Sequence, residues 1–170
     1  MGEAGVFAPE SRLELIEGEI IAMVPIGPPH AGAVKILNQL FVQRAAGRAI
    51  VSIQDPLIIG GRSVPQPDLA LLKPRADSYA HAHPTAADVL LVVEVADSTL
   101  AFDLGTKVPL YARFGVQEAW VVDVAGRAVR VFRDPSESGY RSSFTCSAGA
   151  TVSVLALPDV TIEVSDLFPE

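Results

Sequence analysis

Two carboxylates stand where carboxylates are unfavourable. Glu94 lies inside the apolar run Leu90-Leu91-Val92-Val93-Glu94-Val95-Ala96, and Asp68 heads the run Asp68-Leu69-Ala70-Leu71-Leu72. Runs of this length read as strands buried on both faces. On such a strand Leu91, Val93 and Val95 point to one side, and Leu90, Val92, Glu94 and Ala96 to the other. An ionised carboxylate there is destabilising unless paired, so Glu94 requires a cation, a metal or a proton. If the two strands are neighbours, Asp68 and Glu94 can converge on one metal. A hard divalent cation such as magnesium takes oxygen ligands and needs only one or two carboxylates beside water and substrate phosphate. Such a centre suits phosphodiester hydrolysis, because the metal polarises the phosphoryl oxygen and acidifies a bound water. Lys107, 13 residues beyond Glu94, is the candidate to orient that water or stabilise the developing charge.

Each of these residues also has a plainer reading. Asp68 follows Pro67 and can be a polar strand-entry residue. Glu94 can pair with an arginine as a structural ion pair. Lys107 lies four residues after Asp103 and can form a helix-surface pair worth about 0.2–0.5 kcal/mol. His30, at a helix start, suits local capping or packing, and Glu14, on a hairpin, suits solvent. His81 and His83 can bind a transition metal or lie in an exposed loop. Tyr111 and Trp120 read as core or interface aromatics. Cys146 has no activating base in view. No glycine-rich phosphate loop and no Ser/His/Asp order is present.

The elements that must position these groups follow from pattern. Leu13 to Ile16 and Ile20 to Val24 flank Glu17-Gly18 as a hairpin. Pro25-Ile26-Gly27-Pro28-Pro29 reads as a rigid loop. A helix is expected from His30 to about Ala46, with Val34, Leu37, Leu40 and Phe41 on one face and Gly47 as its stop. Ala49–Ile53, Leu57–Ile59 and Asp68–Leu72 read as strands, and Lys73–Pro84 as an irregular stretch. Thr85–Asp88 suits one helical turn before the Glu94 strand. A second helix is expected over Asp103–Phe114, with Asp103 as N-cap and a kink at Pro109. Glu118–Val124 and Ala128–Phe132 read as a hairpin and Asp134–Gly139 as a loop. Weaker β patterns fill 140–164, and Val164–Phe168 suits a closing helical turn. Residues 1–10 read as a loose lead-in. The layout is α/β (α+β) with a mixed sheet flanked by helices.

The 170 residues suggest one domain over 1–170, large enough to bury a core without staples. The formal charge of −7 weighs against a protein that coats nucleic acid nonspecifically, since that affinity comes from Lys and Arg neutralising phosphates. It leaves open a metal-dependent nuclease, in which the metal supplies the local positive charge. Lys35, Arg44, Arg62, Lys73 and Arg75 are the candidate phosphate contacts. The single cysteine excludes an intrachain disulfide and a multi-cysteine metal site, and fits a reducing, cytoplasmic setting. Met1–Glu10 lacks a signal-peptide pattern, and no apolar run is long enough to span a membrane.

Taken in order, these residues resemble a known family. Pro67-Asp68, Glu94-Val95 and Lys107 are similar to the PD-(D/E)XK nuclease superfamily. The closer resemblance is to its Uma-type family of restriction-endonuclease-like proteins. It is carried by Leu13-Glu14-Leu15-Ile16-Glu17-Gly18-Glu19-Ile20, Pro28-Pro29-His30, Val92-Val93-Glu94-Val95, Asp103-Leu104-Gly105-Thr106-Lys107, Tyr111 and Gly115-Val116-Gln117-Glu118-Ala119-Trp120-Val121-Val122-Asp123. The resemblance implies a restriction-endonuclease-like fold and a DNA endonuclease dependent on Mg2+ or Mn2+. It assigns Asp68 and Glu94 as metal ligands through their side chains and Val95 through its carbonyl. Glu14 matches a further acid at the metal, and His30 a histidine without an assigned role. The usual superfamily lysine lies two residues after the acid, where this chain has Ala96. In the Uma-type pattern it moves to the following helix, which matches Lys107. Because cutting both strands with one site per chain takes two chains, a homodimer is expected. The alternative is a catalytically inactive nuclease-like fold that binds nucleic acid or protein.

Overall fold

Alternating apolar residues dictate a central sheet, and the computed structural model places six strands in it. Residues 12–168 are described; the lead-in expected over 1–10 lies outside them. The chain runs β1 (Leu13–Ile16), β2 (Glu19–Ala22), α1 (Pro28–Ala45), β3 (Ile50–Ser52), β4 (Leu69–Leu72) and β5 (Val89–Ala96). A broken helix follows, with α2 (Leu100–Phe102), a π-turn (Asp103–Lys107) and α3 (Val108–Arg113). Then come β6 (Glu118–Asp123), β7 (Ala128–Ser136), β8 (Gly139–Ser147), β9 (Thr151–Val154) and β10 (Leu157–Glu163). The main sheet has the order β3-β4-β5-β6-β7-β8, and β1-β2 and β9-β10 form separate hairpins. All pairings in the main sheet are antiparallel except β5 with β6. That parallel pair needs a crossover connection, which the broken helix supplies.

The parity of β5 sorts the core. Leu91, Val93 and Val95 face one cluster with Leu37 and Phe41 of α1, Trp120 of β6 and Val152 and Ile162 of the β9-β10 hairpin. Phe41 and Trp120 meet with ring centroids 5.9 Å apart. Val92 faces the other cluster, with Ile16 of β1 and Leu110 and Tyr111 of α3, and Val89 joins it because the register with β4 slips by one residue between Leu91 and Val89. Glu94 shares that second parity, so it looks toward the crossover helix. Elsewhere Glu118 is fully buried, and accepts from Trp120 Nε1, Arg133 Nε and the Leu155 amide, which ties β6 to β7 and the β9-β10 hairpin.

Several expectations are corrected. α1 begins at Pro28, because Pro28 and Pro29 occupy the first turn, where a missing N–H costs nothing. Leu57–Ile59 adds no strand to the sheet and makes only the bridges Ile58 to Thr85 and Ile59 to Ser63. The loop expected over Asp134–Gly139 shrinks to a tight turn, since β7 and β8 pair as far as Ser136 with Gly139. Asp103 is no N-cap. The helix starts at Leu100, and Asp103 is buried inside it as the first residue of the π-turn. Pro109 sits in the first turn of α3, just after that irregularity and close to where a kink was expected.

Candidate functional site

Asp68 and Glu94 become neighbours through strand register. Leu69 pairs with Val93 and Ala70 with Val92, so the next step of the antiparallel ladder sets Asp68 opposite Glu94. β4 stops at this step. The Val95 amide finds no further β4 residue and donates to Asp68 Oδ2 at 2.9 Å. Asp68 Oδ2 also lies 3.0 Å from His30 Nε2, and Oδ1 accepts from Gln54 Nε2 at 3.1 Å. His30 stands in the first turn of α1, whose start at the double proline aims it at Asp68. Its Nδ1 is buried and has no partner among the described residues.

The crossover helix supplies the groups facing Glu94. Lys107 Nζ lies 3.2 Å from Glu94 Oε2 and 2.9 Å from Glu14 Oε1. Tyr111, one turn later, donates from its hydroxyl to Glu94 Oε1 at 2.5 Å. Glu14 arrives on β1 and also accepts from the Gln66 amide at 2.7 Å. Asp103 accepts from the Thr99 hydroxyl at 2.6 Å. The relative exposures of Glu14, Glu94, Asp103 and Lys107 are 4%, 2%, 3% and 5%, so this is a desolvated charge cluster, not a helix-surface pair. No arginine pairs with Glu94 among the described residues.

Burial and mutual repulsion set the protonation states. Desolvation raises Glu94 to about 8, with Asp68, Asp103 and Glu14 adding to the rise and Lys107 opposing it. Desolvation likewise raises Asp103. Asp68 is also desolvated, but the bonds from His30, Val95 and Gln54 outweigh that and hold it below the usual carboxylate range. Lys107 is pulled above its ordinary value by Glu94 and Glu14 in spite of its burial, so its ammonium is retained.

These groups form the floor of a cleft of about 290 Å3. One wall is β2 and the segment after it, Ile21 to Gly27; the other is Asp97 to Asp103. Its lining carries five carboxylates, Glu14, Asp68, Glu94, Asp97 and Asp103, against the permanent cations Arg12 and Lys107. Among the described residues no three His, Cys, Asp or Glu side chains stand at metal-ligand spacing. A magnesium-type site does not require three. The donors at the floor are all oxygens, their charge is in excess, and a strand residue's carbonyl points the same way as its amide, which brings the Val95 carbonyl to the Asp68 side. The donor chemistry fits a hard divalent cation.

The sequence matches the model of Uma2, a family described as "Putative restriction endonuclease", over residues 3–165. The chain belongs to the Uma2 family. Among curated proteins none matches it. Among solved structures it is similar to "a putative nuclease belonging to DUF820" from Anabaena variabilis, with a TM-score of 0.77 and 18% identity, over 98% of this chain and 94% of that one. At that identity the likeness speaks for the fold, which is the expected mixed sheet flanked by helices. No helix among the described residues is long and apolar enough to cross a membrane.

In this Uma2 chain the structure brings Asp68, Glu94, Val95, Lys107, Glu14 and His30 together. His81 and His83 lie apart in the exposed loop. Gln54, and the roles of Asp103 and Tyr111 as neighbours of the cluster, emerge only from the structure. Tyr111 had a usable signal, since its spacing of four from Lys107 stacks both on one helix face. Gln54 had none. Tyr111→Phe is expected to cost about 1–2 kcal/mol, because it strips one partner from a buried carboxylate oxygen. Urea unfolding of the two proteins checks this, and an unchanged midpoint would count against the bond.

Proposed function

We propose that this chain is a metal-dependent endonuclease that hydrolyses DNA phosphodiester bonds. Asp68, Glu94 and the Val95 carbonyl are the ligands for Mg2+ or Mn2+, with Glu14 as a further acid, and Lys107 is the catalytic cation. The observation that carries this reading is the meeting of Asp68, Glu94 and Lys107 at the floor of an open cleft, although they lie on three different elements. When bound, the metal supplies Lewis acidity to the phosphoryl oxygen and a nucleophilic water. The chain's own residues do the rest. Lys107 keeps its proton and offers a fixed positive charge to the phosphate or the attacking water. Gln54, His30 and the Val95 amide fix Asp68, and Tyr111 fixes Glu94. The reading takes the chain as one domain and two chains as the unit that cuts both strands.

A non-catalytic binding module is the second reading. It is favoured by the fact that both oxygens of Asp68 and both of Glu94 already have protein partners. Calorimetric titration with magnesium and manganese, alongside digestion of single-stranded circular and supercoiled plasmid DNA, separates the two. The enzyme reading expects metal-binding heat and cleavage of at least one of the two DNAs. No heat and both DNAs intact would overturn it in favour of the binding module.

A further inference from the structure

The cleft has the wrong walls for a double helix. A duplex is gripped by many Lys and Arg along its phosphates. None of Lys35, Arg44, Arg62, Lys73 and Arg75 lines the cleft. Arg44 is spent on the Thr161 carbonyl, Arg75 on Asp77, and Lys73 on the Ala87 carbonyl. Arg12 is the permanent cation on the cleft wall, with Lys107 buried at the floor. Beside the carboxylates, His30, Ser98 and Thr99, the rest of the wall is apolar. It is built from Ile21, Met23, Val24 and Ile26 on one side and Phe102 on the other. Val24 and Ile26 are 52% and 39% exposed, which leaves apolar surface open at the mouth.

Resting on the nuclease reading, we infer that the substrate is single-stranded DNA, which enters one unpaired nucleotide at a time. The base lies against Phe102 and the apolar wall, with Arg12 on the backbone and the phosphate at the floor. A base has an apolar face that such a wall can cover, and stacking on an aromatic ring is worth about 1–3 kcal/mol. A paired base cannot present that face, because its neighbours in the stack cover it. Specificity for unpaired DNA then comes from shape and apolar contact. The electrostatic part stays small, with one arginine on the wall and an acidic floor.

The test is fluorescence anisotropy with labelled oligothymidylate and with the matching duplex, both in calcium. The expected result is at least tenfold tighter binding of the single strand. Its affinity falls less than about tenfold between 50 and 200 mM salt, since each phosphate neutralised on a single strand contributes a slope of only about −0.7. Phe102→Leu, which keeps the apolar packing but not the ring, is expected to weaken single-strand binding about tenfold, and Phe102→Trp to retain it. Equal or tighter duplex binding, a steep salt slope, or an unchanged Phe102→Leu affinity would each overturn the inference. Parallel digestions in magnesium or manganese keep the two claims apart. Single-strand binding with neither substrate cut sinks the nuclease reading alone, whereas faster cutting of duplex sinks the strand preference alone.

Discussion

Glu94→Gln is expected to abolish hydrolysis while leaving the fold intact. The loss should be at least about a thousandfold, because the metal the carboxylate would hold contributes several kcal/mol to the transition state. The fold survives because glutamine matches the protonated acid in shape and charge. Burial raises Glu94 to about 8, so in the absence of metal the carboxyl takes up a proton at a higher pH than an exposed glutamate does. The sign of the pH dependence follows from that. An acid raised above its unfolded value supports the fold fully below about 4.5 and loses that support as pH climbs toward 8. Wild-type stability should therefore fall relative to Glu94→Gln across this window and level off above it. Every tenfold difference in proton affinity between the folded and unfolded chain corresponds to about 1.4 kcal/mol, which puts the gap on the order of a few kcal/mol. Urea midpoints of both proteins from acid to mildly alkaline pH measure it. Parallel curves would mean that folding leaves the proton affinity of Glu94 unchanged.

Lys107→Met should also eliminate hydrolysis, and it should destabilise the protein. Methionine keeps most of the apolar stem but leaves Glu14 and Glu94 facing each other without the ammonium that joins them at 2.9 and 3.2 Å. Removing one member of a buried ion pair costs about 3–5 kcal/mol. The cost should shrink at acid pH, where protons replace the missing cation. It should shrink as well in magnesium or manganese, since anything that binds the native state alone stabilises it by mass action. The decisive quantity is the metal-induced rise in Tm, compared between the variant and wild type. A larger rise in Lys107→Met shows that lysine and metal share one electrostatic role. Equal rises would show that the lysine's place is independent of the metal ligands.

How far the sequence disclosed this site depended on the kind of interaction. Glu94 was legible because a single charge in an apolar strand breaks a period that burial enforces. Asp68 was legible because it heads an equally apolar strand, and the register Leu69 to Val93 then sets the two opposite each other. Asp103 departs from expectation because the N-cap preference of aspartate is a local rule. Tertiary burial overrode it by starting the helix at Leu100 and drawing Asp103 inward. Leu57–Ile59 had a strand's composition but no sheet partner within reach. Gln54 and the pairing of His30 with Asp68 depend on distances between segments far apart in the chain, and no period or cap encodes those.

The π-turn at Asp103–Lys107 acts as a phase shifter. In a regular α-helix each residue advances the side-chain direction by about 100°, so one residue more or less rotates everything beyond it by that angle. Single-turn π-bulges hold such an extra residue, and they recur where proteins do chemistry. Here the wide turn falls between Asp103 and Lys107, both of which line the cleft. Its first turn presents Phe102 and Asp103 to the cleft wall, and its last presents Lys107 and Tyr111 to Glu94. In a helix of uniform pitch Asp103, Lys107 and Tyr111, four residues apart, would drift by about 40° per step along one face. Lys107 thus meets Glu94 from a helix whose phase changes at that residue, above a sheet whose β5–β6 register is unbroken.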